Sequence, residues 1–426
     1  MLITIRRQLI VATLIGLCAG GASALFLVVL TYVSTWYLHT SALLFLLPFA
    51  GLSITYLYQR FGPALGAGNN LIIDAYHQPR SRYIPFRMVP LIFVTTIVTH
   101  LCGGSAGREG TAVQMGGSIA ATIARYLKLN AHETSMVILM GISAGFGSVF
   151  GTPFAGAVFA CEVVVRGNIR ASALPFAICA AVVGDHTVRM LRVSHVHYSV
   201  ATLPPFTLEL VGALILAGLL FAAITLVFVL GLWVVEWWCK TNIVNPYIRV
   251  FIGGILVIGM TYVLGTHDYN GLSLPLLADA FVGGVPPWAF ACKVLFTIVT
   301  LGFGFKGGEV TPLFVIGATA GASMGYLFGI EPSYMAAIGL VAVFAAATKT
   351  PLASLVLGFE LFGGAILLPM MIVVGVAYGC SGFVGIYGAQ RNRGRRTRRM
   401  QELLVVQLRR ARRWLNRVRN KPPFGV

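Results

Sequence analysis

The chain has 426 residues, of which 57% are hydrophobic and only 10% charged, with a mean hydropathy of +0.84. That balance excludes an ordinary water-soluble globule, which is about half apolar and a quarter charged. The net charge of +18 does not point to nucleic acid either: residues 391–426 hold 13 Lys or Arg against the single acid Glu402, and the rest of the chain carries only +6.

Residues 8–59 contain no Asp, Glu, Lys or Arg, and further uncharged stretches cover 210–235, 310–330 and 361–390. Several exceed the roughly 20 residues that cross a bilayer core. Their apolar runs are continuous, without the alternation of barrel strands, so they are read as helices and the fold class as all-α integral membrane. Arg6 and Arg7 precede the first run and the arginine-rich tail follows the last. The bias of basic residues toward the cytoplasm then places both termini inside, with an even number of crossings. No cleavable signal peptide is evident. The seven cysteines show no paired or metal-ligand spacing and read as packing residues, and His195 with His197 lies in a predicted loop. No metal, cofactor or enzymatic chemistry is expected.

The two halves of the chain resemble each other. Glu109, Gly110 and Thr111 align with Glu309, Val310 and Thr311 at an offset of 200, and Gly117 and Ala120 align with Gly317 and Ala320. A second block aligns Gly141, Ala144, Phe146, Thr152, Pro153, Ala155 and Glu162 with their counterparts 198 residues on, ending at Glu360. The expected division is a transmembrane unit over 1–390, with repeats at about 1–200 and 201–390, followed by a basic cytoplasmic tail over 391–426. Duplicated membrane chains commonly place their site where the repeats meet, on helices that stop inside the bilayer. Gly103-Gly104-Ser105-Ala106-Gly107 and Gly307-Gly308 are poor helix interiors. Each therefore predicts a loop followed by a helix start at mid-depth, and Thr311-Pro312 suits a first helical turn. Such a start exposes unpaired N–H groups and about half a positive charge, which attract an anion.

Glu109 stands in this loop, inside the apolar body, where an ionisable residue is a functional hypothesis by default. As a carboxylate it competes with an anion for the same N–H groups, and as an acid it withdraws with a proton. The bland alternative is an Arg108–Glu109 or helix-capping pair that holds the loop. For Glu309 capping or an ion pair with Lys306 is expected, and Glu162 and Glu360 read as interfacial or structural. The loop Gly66-Ala67-Gly68-Asn69-Asn70 offers Asn69 and Asn70 either to an anion or to a helix cap. Tyr387 can point a phenol at an anion or serve as an interfacial aromatic. In the tail, Leu404, Leu408, Ala411, Leu415 and Val418 recur at helical spacing among arginines. That suits a helix on an anionic leaflet or a solvated orientation signal.

Gly107-Arg108-Glu109-Gly110 resembles the gating loop of the CLC family of anion channels and proton-coupled antiporters, and the resemblance continues through both repeats to Tyr387. It implies a CLC-type inverted-repeat bundle of tilted and discontinuous helices, and a homodimer with one pathway per subunit. It makes Glu109 the external gate and proton carrier and Tyr387 the inner closure of the anion path. Gly107, Arg108, Gly110, Thr111, Asn69, Asn70, Val310 and Thr311 are the expected anion-binding set. The Ser-Pro pattern of chloride members is missing at 66–70, Thr111 replaces a proline, Glu309-Val310-Thr311-Pro312 replaces a Phe-containing motif, and Val163 stands where chloride antiporters have an inner proton-relay glutamate. This combination is similar to the fluoride/proton antiporter clade.

The resulting expectation is fluoride export in exchange for protons, in a bacterial inner membrane, with membrane lipid but no nucleic acid as partner. Chloride transport, by channel or antiport, is the first rival, and a non-transporting scaffold with a lipid- or nucleic-acid-binding tail is the second. Replacing the strongly held water of fluoride demands close donors and ring edges, for which Tyr76, Phe86 and Phe93 are candidates.

Overall fold

The computed structural model describes residues 2–81, 84–196 and 198–392. The basic segment from 393 onward, with its expected surface helix, and His197 lie outside the described residues.

The first eight helices are α1 (Leu2–His39), α2 (Leu47–Phe61), α3 (Asn69–His77), α4 (Met88–Leu101), α5 (Glu109–Tyr126), α6 (Ala131–Phe150), α7 (Pro153–Val163) and α8 (Leu174–Met190). The next eight repeat this order of long and short pieces: α9 (Leu208–Asn242), α10 (Pro246–Leu264), α11 (Leu274–Val282), α12 (Ala289–Gly302), α13 (Val310–Phe328), α14 (Pro332–Thr348), α15 (Pro351–Phe362) and α16 (Leu367–Cys380). Two short strands, β1 (Val165–Arg166) and β2 (Arg391–Asn392), pair in parallel with Val165 opposite Arg391. Arg391, which the sequence groups with the tail, is therefore joined to the helical body.

Among the described residues seven helices are long and apolar enough to cross a membrane. Others are too short: α3 and α11 have nine residues each, about 14 Å at 1.5 Å per residue against a hydrocarbon core of roughly 30 Å. Lipid supplies no hydrophobic drive between helices, so close packing of small residues takes its place. A Cβ on Gly116 would stand 2.1 Å from the Gly141 carbonyl oxygen, and one on Gly317 would stand 2.2 Å from that of Gly339. Thus α5 packs backbone to backbone on α6, and α13 does the same on α14.

Local chemistry sets the corners. Asn130 and Glu133 form a capping box at the start of α6, each side chain accepting the other's N–H at 3.0 Å. Helix α6 ends on Gly151 with φ 76°, and Thr152-Pro153 starts α7. The matching corner after α14 places Lys349 at φ 60° before Thr350-Pro351. A side chain there costs about 1 kcal/mol or more, so tertiary contacts must hold it.

The two Thr-Pro helices cap each other. The Glu162 carboxylate accepts from the Leu352 and Ala353 N–H groups (3.2 and 2.8 Å) at the start of α15. Glu360 accepts from Phe154 and Ala155 (3.0 and 2.6 Å) at the start of α7. Both glutamates thus answer a helix dipole, the structural one of the two roles the sequence left open. Glu162→Ala and Glu360→Ala should each lower stability by about 1–2 kcal/mol, the usual loss for a helix cap. Thermal unfolding of the detergent-purified protein would show it as a lower Tm in each variant, and unchanged Tm in both would dismiss the caps.

Candidate functional site

The two glycine loops meet. Gly107 N–H donates to the Gly308 carbonyl at 2.6 Å and Gly308 N–H to the Gly107 carbonyl at 2.8 Å, an isolated antiparallel bridge between the halves. The approach requires glycine. A Cβ on Gly107 would reach Pro312 Cδ and Thr311 Oγ1 at 2.8 Å, and one on Gly308 would reach the Gly110 nitrogen at 2.8 Å. The bridge brings the start of α5 (Glu109, Gly110, Thr111) against the start of α13 (Val310, Thr311). In these first turns the Glu109, Gly110, Thr111, Val310 and Thr311 amides donate to no described acceptor, whereas Ala112 and Leu313 begin the regular ladders to Arg108 and Glu309. Two positive helix ends thus face one place.

Glu109 is fully buried. Its carboxylate takes a short hydrogen bond from the Thr311 hydroxyl of the other half and lies 3.4 Å from Arg108 Nε. Thr311 Oγ1 in turn accepts the Arg108 N–H at 3.1 Å. Thr111 is buried too, its hydroxyl 2.9 Å from that of Thr96 on α4. The Arg108–Glu109 pair anticipated from the sequence is therefore present, at a residue that lies beside both helix starts.

Asn69 and Asn70 occupy the first turn of α3 after Gly68 (φ 57°), and neither caps it through its side chain. Asn70 Oδ1 accepts the Ala389 N–H at 3.0 Å, two residues past Tyr387. Asn69 lies against the bridge, with Nδ2 placed 2.9 Å from where a Gly110 Cβ would be. Of the two roles the sequence left open, helix capping is not adopted: Asn70 ties α3 to the Tyr387 segment and Asn69 approaches the helix starts. For Glu309 the expectation is corrected. It makes no ion pair with Lys306 and no side-chain cap bond; Lys306 sits 4.6 Å from the Tyr58 ring centroid instead. Asn69 Oδ1, Glu309 Oε2 and Gln114 Oε1, the last from α5 beside Gly68, are buried without a hydrogen-bond partner among the described residues. Gln114 was not singled out by the sequence, although its position five residues past Glu109, in the uncharged run 110–124, was a signal.

Tyr387 is buried, not interfacial, and meets the Phe159 ring edge-on at 6.4 Å. From there a ring cluster leads through Phe344, 6.0 Å from Phe159, to Phe314, 5.1 Å from Phe344 and one turn from Val310 on α13. The aromatics picked from sequence lie elsewhere. Phe86 is exposed, Phe93 packs on Phe26, and Tyr76 packs on His77.

Chemically, this centre sets free N–H donors of two helix starts beside one buried carboxylate. No described cluster of three His, Cys, Asp or Glu could hold a metal ion.

The model of the family described as "Voltage gated chloride channel" matches residues 49–382. A "Chloride/fluoride channel protein" of Pseudomonas syringae pv. tomato is 42% identical over 393 residues, which cover 91% of this chain and 87% of that protein. The "H(+)/Cl(-) exchange transporter ClcA" of Yersinia pestis is 27% identical over 334 residues, 74% of this chain and 70% of that one. Among solved structures, the crystal structure of a CLC-type fluoride/proton antiporter superposes with a TM-score of 0.89 at 33% identity, covering 92% of this chain and 99% of that one. A slow cyanobacterial Cl-/H+ antiporter, at 22% identity and a TM-score of 0.77, supports the fold alone. A bundle in which two glycine loops clasp across the halves, matched over most of its length, makes this chain a multi-pass membrane protein of the CLC family.

Proposed function

We propose that this protein exchanges fluoride for protons across the membrane, with Glu109 as both gate and proton carrier. One observation carries the reading: a fully buried carboxylate sits where two helix amino termini converge, held by the Thr311 hydroxyl from the opposite half. The charged Glu109 carboxylate takes the Thr311 hydroxyl and lies beside the free N–H groups of the two helix starts, where its charge excludes a second anion. Protonation removes the charge that the helix ends stabilise, so the side chain leaves and an anion takes its place. No lysine or arginine need grip the ion, which keeps binding weak enough for release. The unpartnered carboxamides of Asn69 and Gln114 can turn a donor toward the ion, and the edges of Phe314, Phe344 and Tyr387 suit a small anion beyond it. The likeness to a fluoride/proton antiporter at 33% identity supports the choice of ion.

Within this reading residues 1–390 form the transporting unit as two repeats, and 391–426 a cytoplasmic tail that anchors on anionic lipid. The protein is a homodimer of a bacterial inner membrane with both termini cytoplasmic.

Purified protein in lipid vesicles should move fluoride at least ten-fold faster than chloride, with opposite proton flow reported by a pH electrode. Equal rates for the two ions would favour chloride transport and overturn the assignment. Glu109→Gln keeps the shape of the side chain but cannot ionise, so fluoride-driven proton uptake against its gradient should disappear. Uptake at wild-type levels would move the coupling role elsewhere, first to Glu309. Thr311→Val removes a charge-assisted hydrogen bond, worth about 1.5–3 kcal/mol, and the acceptor for Arg108 N–H. Exchange should slow about ten-fold or more, while Thr311→Ser keeps it, and an unaffected Val variant would separate Thr311 from the gate.

A further inference from the structure

Below the aromatic cluster, two basic side chains are buried side by side. Arg166 of β1 is 7% exposed and Lys349, at the corner between α14 and α15, is 1% exposed. Gly385 runs between them: a Cβ on it would stand 3.0 Å from Lys349 Cγ and 3.6 Å from Arg166 Nη2. The segment from Ser381 to Gln390 wraps both. Lys349 Nζ donates to the Ser381 carbonyl (3.2 Å) and hydroxyl (2.7 Å). Arg166 Nε donates to Gln390 Oε1 (3.0 Å) and Nη1 to the Phe383 carbonyl. Arg166 Nη2 has no partner among the described residues.

Carbonyls and a hydroxyl satisfy donors but cancel no charge. Neither residue has a carboxylate within ion-pair distance among the described residues. The acid on neighbouring α7, Glu162, is committed to the Leu352 and Ala353 N–H groups. Desolvating each cation is unfavourable, and two of like sign in one pocket repel as well. A bound anion offsets both. The close approach of Gly385 to both side chains crowds the pair, which excludes a group as large as a phosphate.

We propose that Arg166 and Lys349 form a second anion site beside the Tyr387 segment, where fluoride is held before or after it passes the Glu109 gate. This rests on the transport reading above and adds to it a residue pair that sets affinity. Arg166 is a binding residue through Nη2, and Lys349 both neutralises the ion and fixes the wrapping segment through Ser381.

The test is fluoride exchange by the full chain in vesicles, with KM and maximal rate measured separately. Arg166→Gln and Lys349→Gln should each raise the fluoride KM about ten-fold with the maximal rate within about two-fold, and Arg166→Lys should restore most of the affinity. An unchanged KM in both Gln variants, or a fall in maximal rate alone, would overturn the site and leave the transport reading standing. If both variants fail to fold, the pair is structural and the proposal is equally overturned. A wild-type protein that moves no fluoride would instead defeat the transport reading. The site is then judged by whether fluoride raises the wild-type Tm and loses that effect in Arg166→Gln. Vesicles of zwitterionic lipid alone should give the same wild-type KM as vesicles with anionic lipid. If anionic lipid raises the wild-type KM and not that of Arg166→Gln, a lipid headgroup occupies the pair and fluoride does not.

Discussion

Everything at the centre of this protein depends on two backbone hydrogen bonds, those between Gly107 and Gly308. They clasp the halves of the chain at the point where each stops being loop and becomes helix. Without that contact the starts of α5 and α13 would be two separate weak anion sites, each worth roughly half a charge. With it they point at one volume, and a threonine of one half can hold the glutamate of the other. The bridge admits no side chain at either end, because a Cβ on Gly107 or Gly308 would press within 2.8 Å of the opposite loop.

The halves share a plan but have diverged where the chemistry lies. At the outer pair of short helices the symmetry is kept: Glu162 caps α15 and Glu360 caps α7 in the same way. At the centre it is broken. Glu109 is gripped by Thr311 and Arg108, whereas Glu309 keeps a carboxylate oxygen without a partner. Thr111, the counterpart of Thr311, bonds within its own half to Thr96. The two glutamates of one repeat position thus stand in different surroundings.

Three buried cations, Lys293, Arg166 and Lys349, have no ion pair among the described residues. Lys293 on α12 gives its three N–H bonds to the Tyr269 and Gly271 carbonyls and the Ser273 hydroxyl. The same loop reaches Gly103 through Asn270 and Gly271, so the ammonium steadies the approach to the α5 loop. Arg166 and Lys349 are held in the same way, by carbonyl, amide and hydroxyl oxygens without a carboxylate among the described residues.

The sequence by itself determined the solvent and the helices, and it singled out Glu109. Continuous uncharged runs need lipid, glycine pairs cannot be helix interiors, and a glutamate between such a pair and a new helix has few other uses. These are local or periodic properties, so they survive in one dimension. Only the tertiary structure decided which groups meet. That Asn70 serves Ala389, that Asn69 rests on the bridge, and that Lys349 takes a left-handed corner because its ammonium is anchored on Ser381 all depend on contacts hundreds or tens of residues apart. The aromatic neighbours of Tyr387 were hidden for the same reason: Tyr76, Phe86 and Phe93 stand outside the ring cluster, whereas Phe159, Phe344 and Phe314 reach Tyr387 through the packing of α7, α13 and α14. A ring's neighbours follow from how helices cross, and in a membrane that is set by which small residues let backbones touch.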